Sequence, residues 1–164
     1  MAWVGSTVTS KVMQIFGGPL GLNTCVSALA QAESVNAVAI SASQLVAQNV
    51  SIELVERSMN VQYPSVSVYC DKIANQLKEK FRIFSGYAAM TVEVRVSQDR
   101  LEGIETQSQL YLDAVTQVLD QNRGDWSEGM YYAGGYEAVF GPVKHGGKNF
   151  IQVAKVTFNV GISE

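Results

Sequence analysis

Residues 88–97 alternate without a fault: Met90, Val92, Val94 and Val96 fall on one side of an extended chain, and Thr91, Glu93, Arg95 and Ser97 on the other. A period of two held over that length fits a β-strand with an apolar face. It does not fit a helix, whose apolar positions recur every three or four residues. The fold must therefore lay a second layer against that face. A similar run, Val66, Val68 and Cys70 alternating with Ser65, Ser67 and Tyr69 behind Tyr63-Pro64, predicts another strand with one buried face.

Three helical stretches can supply the layer. Val8, Val12, Ile15 and Phe16 follow Ser6-Thr7 at i, i+4, i+7 and i+8, and Gly17-Gly18-Pro19 ends the pattern. A second stretch opens near Asn23-Thr24, with Leu22, Cys25, Val26 and Leu29 on one side. Residues 101–122 carry Ile104, Ser108, Tyr111, Val115, Val118, Leu119 and Asn122 at helical spacing. Thr106 and Gln109 are spaced for a capping box there, and Gly124 for a left-handed stop.

Residues 50–56 alternate weakly and predict a further strand. The last forty residues read as a long hairpin. One arm, within 130–140, is broken at Gly134-Gly135 in the manner of a bulge, and the other carries Phe150, Ala154, Val156, Phe158 and Val160. The connections 71–86 and 141–149 read as projecting loops. This order predicts one α+β domain over residues 1–164, a mostly antiparallel sheet with helices packed on one face. Its parts are a helical segment over 1–48 and a sheet–helix core over 50–162. A chain of 164 residues buries enough surface to need no disulfide or structural metal.

Charge is unevenly spread. Of twelve basic and fifteen acidic residues, only Lys11 and Glu33 precede Glu53. A solvated helix normally carries a charged face, so the first third is expected to be covered on more than one side. The cover is either the rest of the domain or a neighbouring subunit. The net charge of −3 argues against a dedicated nucleic-acid binder. With no leader-like segment and no apolar run of about 18 residues, the chain reads as intracellular where it is made, with no membrane partner.

Residues suited to chemistry are sparse. Cys25 and Cys70 form no CxxC pattern and read as buried reduced thiols. The one histidine, His145, stands beside Gly146-Gly147 and reads as a solvated loop residue. Glu102 and Glu105 open a helix, where negative charge is favourable. Neither glycine pair fits a phosphate-binding pattern. No catalytic, cofactor or metal residue is assigned, and no enzyme is expected. The candidate partner contacts are Lys78, Lys80 and Arg82 in the first connection, and Lys144, His145 and Lys148 in the second. Trp126, Tyr131, Tyr132 and Tyr136 beside Lys144 and Lys148 leave a base-stacking platform open, although tyrosines in strands fit half-buried sheet positions better.

The runs YPSVSVYCDKIAN (63–75), SGYAAMTVEVRVSQDRLEG (85–103), YLDAVTQVL (111–119), NRGDW (122–126) and the closing GGYEAVFGPVKHGGKNFIQVAKVTFNV resemble the tail terminator, or tail completion, proteins of tailed bacteriophages and prophages. The likeness spans roughly residues 50–162 and lies in the order of elements, not in a catalytic motif. It implies a virion protein of the tail and neck, made in the host bacterial cytoplasm. Such a subunit forms a ring with itself, expected to be a hexamer, on the last ring of the tail tube protein. The ring stops tube growth and meets the head connector or head-closure protein, and DNA passes through its lumen without tight binding. Two alternatives stay open: another neck component, such as a head-closure or adaptor protein, and a small nucleic-acid or ligand-binding module.

Overall fold

The computed structural model describes residues 3–50 and 62–164. Among them are helices α1 (Val4–Gly17), α2 (Leu22–Ala32) and α3 (Ile104–Gln121). The strands are β1 (Leu45–Val46), β2 (Ser65–Asn75), β3 (Ser85–Gln98), β4 (Gly124–Ser127), β5 (Met130–Tyr132), β6 (Glu137–Phe140), β7 (Lys144–Gly146) and β8 (Asn149–Ser163). All eight strands belong to one sheet, antiparallel except where β1 meets β2. The expected single α+β domain is what forms.

The alternating run lies within β3, which pairs with β2 on one side and β8 on the other. Every residue of β3 has a partner in β8, from Ser85 opposite Ser163 to Gln98 opposite Phe150. Met90, Val92 and Val94 thus lie in line with Val66 and Val68 on β2 and with Ala154, Val156 and Phe158 on β8. The result is one continuous apolar face. Helix α1 lies over β2 and β3, α3 lies over β3 and β8, and α2 packs against α3. Val4, Val8, Val12 and Phe16, spaced by four, form the buried stripe of α1.

Beyond β8 the long hairpin takes shape as expected, with its outer arm in pieces. β5, β6 and β7 pair with successive stretches of β8, and Gly134-Gly135, both at positive φ, interrupts the arm between β5 and β6. The short strands β4, outside β5, and β1, beside β2, were not anticipated from the sequence.

Several expectations are corrected. β2 does not stop at Cys70: it passes a register shift between Cys70 and Lys72 and runs to Asn75, so the first connection shrinks to residues 76–84. The second is no open loop, because β7 pairs with β8 and Gly147, at positive φ, makes the turn tight. The capping box does not form. Helix α3 starts at Ile104 after Gly103, and the amide of Gln107 donates to the Gly103 carbonyl, so Thr106 already lies inside the first turn. Gly124 does not stop α3, which ends at Gln121; it opens β4 instead. Cys25 is buried, but Cys70 is half-buried. The weak strand predicted over 50–56 lies outside the described residues except for Val50.

Residues 36–44 belong to no helix and no strand, so side chains satisfy much of their backbone. Asn23 bonds both the amide and the carbonyl of Ile40, each at 2.7 Å. The Tyr111 hydroxyl accepts from the Val38 amide and donates to the Val38 carbonyl. Gln44 joins the Ser41 amide to the Pro64 carbonyl.

Val92 and Val94 are fully buried under the helices. Either one replaced by aspartate would carry an unpaired charge into the core, at a cost of several kcal/mol. A domain holds only about 5–15 kcal/mol in all. The V92D and V94D chains are therefore expected in the insoluble fraction, or to unfold at much lower denaturant concentration than the parent.

Candidate functional site

The sheet's second face is polar, yet it too is buried in its centre. Arg95 is 1% exposed and Glu93 7%, and they pair at 2.7 Å between Arg95 Nη2 and Glu93 Oε2. Arg95 Nη2 also donates to the Val50 carbonyl at 2.6 Å, and Lys155, directly opposite Glu93, lies 3.6 Å from its other oxygen. Thr91 donates to Asp71 on the same face. The reading of Ser65–Cys70 as a strand with one buried face is therefore corrected: Ser65, Ser67 and Tyr69 are buried as well. Period-two alternation marks which residues share a face but not whether chain crosses over the polar one. Each acid here is met by a base or a hydroxyl, so the arrangement is a charge-neutral structural network.

Breaking such a pair from one side strands the other charge. Arg95→Met alone is expected to cost about 3 kcal/mol, and Arg95→Met with Glu93→Leu far less. A double-mutant cycle by chemical denaturation measures the difference.

The candidate contact residues fall into two groups that the structure keeps apart. Lys78, Lys80 and Arg82 are exposed on the 76–84 connection, at the Ser163 end of β8. Lys144, His145 and Lys148 are exposed at the Asn149 end, where the His145 ring stands edge-on to Phe150 at 5.2 Å. The fifteen residues of β8 separate the groups by roughly 45 Å at ~3.3 Å per residue.

Sequence reasoning named the bases of the first connection but missed its apolar residues. Leu77, Phe81 and Ile83 are among the most exposed large hydrophobic side chains, and Phe81 is fully exposed. Leu77 and Phe81 sit at φ 49° and 68°, a region that side chains other than glycine's seldom adopt. The connection is nevertheless held firmly. Asn75 Oδ1 accepts from the amides of Leu77 and Ser85, Asn75 Nδ2 donates to the Ile83 carbonyl, and the amides of Ile83 and Phe84 donate to the Glu164 carbonyl. Glu79 accepts from the Ser163 hydroxyl and faces Arg82 at 3.5 Å.

The aromatic group divides. Trp126 and Tyr132 are core residues, their rings 5.5 Å apart and tilted by 39°, and Tyr132 meets Phe158 edge-on. Tyr131 and Tyr136 are exposed. Burial, and after it Asp120, pushes the Tyr132 hydroxyl up to about 12. Burial, then Glu93 and Asp71, does the same for Tyr69, and burial raises Tyr111. The folded protein holds these protons more tightly than an unfolded chain, whose tyrosines ionise near pH ~10. Their stabilisation is thus intact below pH ~10 and lost as pH rises toward 12. Absorbance titration is expected to show early-ionising tyrosines, then a late group whose ionisation coincides with unfolding.

Among the described residues no group of three or more His, Cys, Asp and Glu converges as metal ligands would. No single helix is long and apolar enough to cross a membrane. The bent pair α1 and α2 passes by length and composition alone, with part of its apolar surface packed in the core. No protein-family model and no curated protein sequence matches the chain.

Proposed function

We propose that this protein is a structural subunit of the neck of a tailed bacteriophage, forming a ring that ends the tail tube and joins the tail to the head connector. The observation that carries the reading is the position of the two candidate contact groups at opposite ends of the long, continuously paired β3–β8 ladder. With the ring axis along the strands, the Phe81 connection faces one neighbour in the stack and the β7–β8 turn faces the other. A firmly bonded connection that displays Phe81 and Ile83 among Lys78, Lys80 and Arg82 suits a partner surface that is apolar and acidic. The net charge of −3 suits a passage through which DNA slides without being held.

The test is assembly. The chain, alone or with tail tube protein, is expected to run as a closed ring of fixed copy number and to cap tubes of defined length in electron micrographs. Phe81→Ser with Ile83→Ser removes two exposed side chains and leaves the core untouched, so folding and ring formation are expected to persist while joining to the tail drops at least tenfold. Normal joining by that variant would remove the connection from the reading. Submicromolar, sequence-independent DNA binding by the isolated subunit at physiological salt would replace the reading with a nucleic-acid module.

A further inference from the structure

The sheet ends in two open edges of different character. On one side, β6 has β8 as its only partner among the described strands, and all four of its residues are exposed, Val139 by 53% and Phe140 by 43%. On the other side, β1 covers β2 only at Val66 and Ser67, and no described strand pairs with the outer edge of residues 68–75. Unpaired backbone next to exposed apolar side chains is a template for another strand, and proteins that stay single usually blunt it with charge, proline or a covering loop.

The two edges differ in charge. Residues 123–140, which form or flank the β6 edge, contain Asp125, Glu128 and Glu137 against Arg123, whose side chain packs at Gly134. Residues 71–84, at and beyond the β2 edge, contain Lys72, Lys78, Lys80 and Arg82 against Asp71 and Glu79. One edge is therefore acidic and the other basic. Like edges repel, and unlike edges attract.

Strand direction adds a geometric condition. β2, β3, β8 and β6 alternate in direction because each neighbouring pair is antiparallel. A copy related by rotation about an axis along the strands keeps its strand directions. Its β2 therefore runs opposite to the first copy's β6, and the alternation continues across the junction.

We propose that a second copy of this chain occupies each edge: β6 of one copy pairs antiparallel with the outer edge of β2 in the next. The contact is heterologous, so each copy uses one acidic and one basic edge, and it propagates head to tail until rotation closes it. The proposal deepens the ring reading by naming the surfaces that make the ring, and it rests on that reading for closure.

Two variants block one edge each. Val139→Lys with Phe140→Lys places two charges on exposed positions of β6, and Lys72→Glu with Lys78→Glu reverses the basic edge. Sedimentation velocity, with circular dichroism to confirm folding, is expected to show the wild-type chain as a higher oligomer. The first variant is expected as a monomer, and the second as associating at least tenfold more weakly. Mixed together, the two variants keep one good edge each and are expected to yield a 1:1 pair and nothing larger. A second variant that self-associates as tightly as wild type while the first does not would mean that β6 pairs with itself, which overturns the proposal. A wild-type ring undisturbed by folded Val139→Lys, Phe140→Lys protein overturns the interface and leaves the ring reading standing. Wild-type chains that join head to tail into open filaments keep the interface and defeat the ring. A wild-type chain that stays monomeric at all concentrations, both alone and with tail tube protein, defeats both.

Discussion

The fourteen-residue register between β3 and β8 is the constraint on which the remaining structure depends. Both strands present different chemistry on their two faces, apolar toward the helices and polar or ionic away from them. A slip of β8 by one residue against β3 would turn Val156 outward and drive Lys155 under α3. Because Glu93 and Arg95 are themselves buried and paired, the wrong register is penalised on both faces at once. The helices dock on what this ladder presents, and the edges lie where its neighbours end.

Much of this was legible in the sequence because periodicity reports directly on faces. The alternation around Met90 and the buried stripe from Val8 to Phe16 needed no knowledge of neighbours. What could not be read depends on neighbours. The buried state of Glu93 and Arg95 requires chain crossing the polar face, and the carbonyl of Val50, far away in sequence, is part of it. The end of β2 was missed because Asp71, Lys72 and Asn75 are polar at an open edge, where the burial signal fades. Residues 36–44 are held by Asn23, Gln44 and Tyr111, two of them distant in sequence from the groups they bond. The bases of the two contact groups were found by composition. Phe81 carries no signal in the sequence, and only its exposure and positive φ set it apart.

The nearly uncharged first third gains meaning in this frame. Helix α2 turns Asn23, Thr24, Ser27, Ala28 and Gln31 to the surface, and Leu20 and Val38 are exposed nearby. The described part of the chain thus covers only one side of these helices. Uncharged Asn, Thr, Ser and Gln side chains form the outer face of α2, so the expected cover on more than one side is not supplied by the described residues.

The break at Gly134-Gly135 bears on how such contacts behave over time. Residues 158–160 of β8 have no partner on that side, because β5 covers 161–162 and β6 only 154–157. The outer edge is therefore divided into short pieces, and no docked strand gains more than a few consecutive backbone bonds at once. Contacts built from such pieces come apart singly, so a misplaced neighbour can leave before its whole border is fastened. An uninterrupted edge of the same composition would lock the first arrival in place, right or wrong; in the proposed ring a segmented one would let a misplaced copy leave.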